Sequence, residues 1–123
     1  MEVYLYEELT KKVIGAAITV HKTLGPGFPE KVYQKALVEE FLKQNITFSR
    51  EKRVEIYYED KLVGYEIMDF CVDNKLVIEL KIGPKILDIH SKQVVSYLKA
   101  MKYRLGLILN FGTSKLEIKR VIL

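Results

Sequence analysis

Three stretches of this sequence, residues 63–72, 76–82 and 105–109, are apolar almost without a break. A strand with one face in water alternates apolar and polar side chains. A strand that stays apolar at successive positions needs cover on both faces. The chain therefore has to build a sheet and supply helices for both its sides. Two stretches have the spacing for this. Residues 10–23 carry Val13, Ile14, Ala17, Ile18 and His21 on one helical stripe, and the segment from Pro29 to about Gln44 carries Tyr33, Leu37 and Phe41. Gly25-Pro26-Gly27-Phe28-Pro29 separates them, with Pro29 suited to the first helical position. A third helix fits residues 88–102, with Asp88 as its N-cap.

The remaining strands are residues 47–58 and 115–121, with turns at Glu59-Asp60-Lys61, Asp73-Asn74-Lys75 and Gly112. The order is helix, helix, three strands, helix, two strands. It predicts an α+β or mixed α/β sandwich with an antiparallel meander in its first half. A length of 123 residues fits one domain over residues 1–123 with a core of its own. Cys71 is the only cysteine, so no disulfide can form within the chain, and a reducing compartment is the simple reading. No apolar run is long enough to span a bilayer. Residues 1–10 hold Glu2, Glu7 and Glu8 and no signal-like apolar region, which points to a cytoplasmic protein without a membrane partner. The net charge of +4 and pI near 9.1 are compatible with a polyanionic partner.

Chemistry is expected where charge interrupts the apolar runs. In Leu76-Val77-Ile78-Glu79-Leu80-Lys81-Ile82, Glu79 and Lys81 are two apart and share a face. Asp69 stands alone in Ile67-Met68-Asp69-Phe70-Cys71, and Glu30 lies on the helical stripe of Tyr33, Leu37 and Phe41. Carboxylates about 4 Å apart repel by roughly 4 kcal/mol at an effective dielectric of 20. If these three converge, one lysine does not balance them. A hard divalent cation such as Mg²⁺ or Mn²⁺ does, and it would activate water and offset charge on a phosphate. Lys81 would then orient that water or stabilise the developing charge. Each residue also has a structural reading: Glu79 with Lys81 as an ion pair, Asp69 paired with an arginine, Glu30 at the helix dipole. His21 reads as a hydrogen-bonded core histidine, and Cys71 as a small buried hydrophobe.

The order of motifs narrows these alternatives. Gly27-Phe28-Pro29-Glu30-Lys31-Val32-Tyr33 matches G-x-x-E-x-x-Y and resembles the opening of the GxxExxY family. Asp69 followed by Glu79-Leu80-Lys81 looks like the D…E-x-K signature of the PD-(D/E)XK nuclease superfamily. Gln93-Val94-Val95-Ser96-Tyr97 is similar to the Q-x-x-x-Y motif of RecB-like and Cas4-like nucleases, and Leu105-Gly106-Leu107-Ile108-Leu109-Asn110-Phe111-Gly112 to the family's late strand. The resemblance runs from about Leu9 to Val121.

It implies a PD-(D/E)XK, restriction-endonuclease-like fold, a central sheet flanked by helices. It further implies a Mg²⁺- or Mn²⁺-dependent nuclease acting on nucleic acid, DNA foremost. Asp69, Glu79 and Glu30 would be the metal ligands and Lys81 the catalytic lysine. Gln93 and Tyr97 would support the site or touch substrate, with Tyr33 and His90 in lesser supporting roles. The family often has a basic residue shortly before the aspartate, where this chain has Ile67 and Met68. The alternative is a catalytically inactive nucleic-acid-binding or assembly module of the same fold, and a hydrolase of a small phosphorylated metabolite is a third reading. A homo-oligomer is compatible with all three.

Overall fold

A computed structural model describes residues 6–123; Glu2 and the rest of residues 1–5, read above for a signal region, lie outside it. The elements follow in the expected order: α1 (Glu7–Leu24), α2 (Glu30–Lys43), β1 (Phe48–Tyr58), β2 (Lys61–Val72), β3 (Leu76–Lys81), α3 (Asp88–Met101), β4 (Leu105–Asn110) and β5 (Glu117–Ile122). The strands form one mixed sheet in the order β1-β2-β3-β4-β5. Only β3 and β4 run parallel, as they must when α3 carries the chain from one to the other; the remaining neighbours are antiparallel. Asp88 begins α3 as its first helical residue, and the extended cap position falls to Leu87.

The unbroken apolar runs have the expected consequence. Alternate residues of β3 and β4 serve two cores. Leu76, Ile78, Leu80, Leu105, Leu107 and Leu109 pack beneath α1 and α2. Val77 and Ile108 pack against Val94, Tyr97 and Leu98 of α3 on the other side. At the tight end of the β2–β3 hairpin Asp73 and Asn74 both take positive φ, a conformation their short polar side chains tolerate. The loop has three residues, so Val72 stands opposite Leu76 and Phe70 opposite Ile78.

Plain alternation fails at one place in β1 and β2, and that place makes the site. Phe70 and Val72 belong to the α1/α2 core, yet Met68, of the same parity, belongs to the α3 core together with Val54. The register is preserved on either side, with Arg50 opposite Phe70 and Lys52 opposite Met68. Glu51, between Arg50 and Lys52, has φ 51°. The two strands thus roll over together at Glu51 and Asp69, and beyond that point their outward residues become inward ones. A further slip between Ile56 and Tyr57 follows nearer the tip.

No described helix is long and apolar enough to cross a membrane. His21 is a core histidine, its Nε2 2.8 Å from the Thr113 carbonyl, and Cys71 is buried.

Candidate active site

The site lies where β2 parts from β3. Past the Phe70–Ile78 pair the ladder between these strands stops, and the Asp69 side chain takes over as acceptor: the Leu80 N–H donates to its Oδ2 at 2.7 Å. On β3 Glu79 is only 5% exposed, although it bears a carboxyl group. Its Oε2 lies 3.7 Å from Lys81 Nζ, while its Oε1 is buried without a hydrogen-bond partner among the described residues. Lys81 and Glu79 share a face because they are two apart on a strand.

Lys81 is held from α3. Its ammonium donates to Gln93 Oε1 at 3.3 Å, Gln93 Nε2 donates to the Tyr97 hydroxyl at 2.9 Å, and that hydroxyl donates to the Ile67 carbonyl at 3.1 Å. Gln93 and Tyr97 are one helical turn apart, which is what lets one helix present both to the same strand pair. The chain of donors ends two residues before Asp69, so one polar line ties β3, α3 and β2 together. His90 is engaged elsewhere: its Nδ1 accepts the Leu87 N–H at 3.0 Å at the start of α3.

Glu30 enters from the other side, in the first turn of α2. The loop before it needs Gly25 and Gly27, whose φ values are 69° and 116°. Tyr33, fully buried and stacked on Phe111 with ring centroids 4.7 Å apart, clamps that loop. Its hydroxyl donates to the Gly25 carbonyl at 2.6 Å and accepts the Phe28 N–H at 3.2 Å. The spacing of Gly27, Glu30 and Tyr33 has a mechanical sense: the tyrosine fixes the glycine loop, and the loop fixes where the helix begins and so where Glu30 sits. Glu30, Lys31, Gln34, Glu51, Ile67 and Asp69 line a cleft of about 410 Å³. A larger groove of about 930 Å³ lies between α3 and the outer part of β1, lined by Lys92, Lys99 and Lys102, and contains none of the candidate residues. Of the candidate residues, the smaller cleft is lined by Glu30 and Asp69.

Electrostatics set these acids apart. Burial, and then the Asp69 charge, push the Glu79 carboxyl up to about 8 against the pull of Lys81. Burial raises Asp69 as well, although the Leu80 N–H and Lys81 oppose it. Glu30 is raised by burial and then by Asp69. Burial pushes the Tyr97 hydroxyl far up, with help from the Glu79 charge, so it stays a donor. Against these three acids stand two lysines, Lys81 with the larger influence on Glu30 and Asp69 and Lys31 with the smaller.

Among the described residues no group of three or more His, Cys, Asp and Glu side chains is arranged to hold a metal ion. What the structure brings together is a pair, Asp69 and Glu79, with the buried Glu79 Oε1 unpartnered among the described residues, and with Glu30 close enough to feel the Asp69 charge. An all-oxygen pair with a spare acceptor and excess negative charge fits a hard divalent cation. Sequence reasoning missed Lys31, Gln34 and Glu51. Lys31 lay inside the G-x-x-E-x-x-Y stretch and was legible as its neighbour; Glu51 was not, since only the roll-over of β1 brings it to the cleft.

A family model described as PD-(D/E)XK nuclease superfamily matches residues 7–121. Comparison with curated proteins and with solved structures gives no match.

Proposed function

Since the chain belongs to the PD-(D/E)XK nuclease superfamily, we propose that it is a divalent-metal-dependent nuclease of the GxxExxY kind, hydrolysing phosphodiester bonds of nucleic acid, DNA foremost. The observation that carries this reading is the Asp69–Glu79–Lys81 cluster: two raised carboxyl groups, one orphaned oxygen and one lysine held by a dedicated hydrogen-bond line. A structural ion pair needs neither the second acid nor the line from Tyr97.

Asp69 and Glu79 would hold Mg²⁺ or Mn²⁺, with Glu30 contributing from α2. Such an ion supplies an activated water and offsets charge on the scissile phosphate. Lys81, fixed by Gln93, keeps its ammonium beside Glu79 and would orient the attacking water or neutralise charge building on the phosphate. Gln93 and Tyr97 act through Lys81 as positioning residues. Tyr33 acts through Glu30 in the same sense, and His90 serves the start of α3.

The test is cleavage of labelled single- and double-stranded DNA and RNA with Mg²⁺ or Mn²⁺, and its arrest by chelation. Asp69→Asn, Glu79→Gln and Lys81→Ala should each remove most of the rate. Binding without cleavage under every metal and substrate would instead favour the inactive binding module.

A further inference from the structure

The cleft that holds Asp69 and Glu30 carries three carboxyl groups on its wall, counting Glu51. A polyanionic strand approaching such a wall meets repulsion before it meets the reacting groups. Lys31 is the only cation among the described residues that line the cleft. Its ammonium sits against the Glu51 carboxylate, at the point where β1 rolls over, and 3.4 Å from Gln34 Oε1. Both partners of the pair are open to water, Lys31 with 61% and Glu51 with 47% of its side chain exposed. An ion pair this exposed contributes little to stability, typically under about 1 kcal/mol, so it is readily exchanged for another partner. Lys31 also reaches both acids electrostatically, since its charge counts among those lowering Glu30 and Asp69.

Resting on the nuclease reading above, we infer that Lys31 is a substrate-contacting residue that takes a phosphate of the strand at the mouth of the cleft, with Glu51 as the counter-ion it leaves to do so. The exchange replaces one exposed contact by another and releases the Glu51 carboxylate to solvent. Gln34, buried on the same helix, limits where the ammonium can swing. Lys31 enters from α2, whereas Lys81 stands on β3 and does not line this cleft, so the phosphate Lys31 takes is a neighbour of the one cleaved.

The two partners of the pair should then act in opposite directions. A structural latch between α2 and β1 requires that Lys31→Gln and Glu51→Gln do the same thing, since either breaks it. A phosphate contact with a competing counter-ion requires that Lys31→Gln weaken substrate binding and Glu51→Gln strengthen it. Fluorescence anisotropy of a labelled 20-nucleotide DNA, single- and double-stranded, reads this in a Glu79→Gln background, which spares the substrate. Lys31→Gln should raise the dissociation constant on the order of fivefold at 0.1 M salt and flatten the salt slope by about one contact. Lys31→Arg should restore both, and Glu51→Gln should tighten binding by a similar factor. If the Glu79→Gln parent binds and the two glutamine variants shift affinity the same way, or neither shifts it, the assignment of Lys31 is overturned and the nuclease reading stands. If the parent binds neither DNA at any salt and the wild type cuts nothing, both are overturned.

Discussion

Replacing Glu79 by glutamine should stabilise the chain in alkaline solution and do progressively less as the pH is lowered. Glutamine keeps the shape and cannot ionise, so it mimics the protonated acid. The wild-type carboxyl ordinarily titrates at 4.5 and is pushed up to about 8 in the folded chain. Below the ordinary value both folded and unfolded chains hold the proton, and the acid costs nothing in charge. Above it the unfolded chain releases the proton and the folded chain keeps it. Wild-type stability then falls by about 1.4 kcal/mol per pH unit until the folded carboxyl ionises as well. Across that window the loss is on the order of 5 kcal/mol, shared with Asp69 because the pair titrates together. Urea unfolding in chelator at pH 5, 7 and 9 should show the variant drawing ahead of the wild type as the pH rises. Saturating Mg²⁺ should recover about half of the wild-type deficit at pH 9, since binding to the folded state alone adds about 2.7 kcal/mol at a hundred times the dissociation constant. A stability difference that does not change with pH, or a variant less stable at pH 9, would refute the reasoning. The latter is what a structural Glu79–Lys81 ion pair requires.

Tyr33→Phe leaves the Gly25 carbonyl without its donor and the Phe28 N–H without its acceptor. It should lower stability by about 1–3 kcal/mol in denaturant titration and slow cleavage by loosening Glu30. Tyr97→Phe cuts the line that holds Gln93 and Lys81. Turnover should drop about tenfold or more with little change in KM, and a KM effect alone would count against a positioning role. Gly112→Ala tests the fold rather than the chemistry. A Cβ there would lie 2.4 Å from the Ile82 carbonyl oxygen, a backbone atom that cannot swing away, and thermal melting should show a loss of about 2 kcal/mol or more.

Much of this architecture is legible in the residues because the signals agree. The apolar runs demand a doubly covered sheet, and two helices before the strands and one between them supply the cover. The Asp73-Asn74-Lys75 turn sets the parity of β2 against β3. Glu79 and Lys81 reveal themselves as charges where only core is expected. The late strand also makes sense once seen. Gly106 lies so close to α3 that a Cβ would be 2.5 Å from Val94 Cγ1. Asn110 is wholly buried and bonds Gly83, Gly112 and Glu117, bracing the ends of β3 and β5.

What the residues do not disclose is the roll-over at Glu51 and Asp69. Alternation counted along β2 assigns Asp69 the face of Cys71, whereas the strand turns at Asp69 and opens it to the α2 side. Nothing local marks that turn, since Glu51 is not a residue that favours a positive φ. Glu51 stays hidden for the same reason: its meeting with Lys31 depends on a twist between strands, not on any spacing within one.

The central claim is that Asp69, Glu79 and Lys81 work together as one metal-assisted unit that cleaves phosphodiester bonds. Its most direct test is the single-turnover cleavage rate in Mg²⁺ of Asp69→Asn, Glu79→Gln, and the two combined. Groups that act together lose nearly everything with the first removal, so the double variant should be about as slow as either single one. Rates that fall by the product of the two single losses, or single variants that cleave as the wild type does, would contradict it.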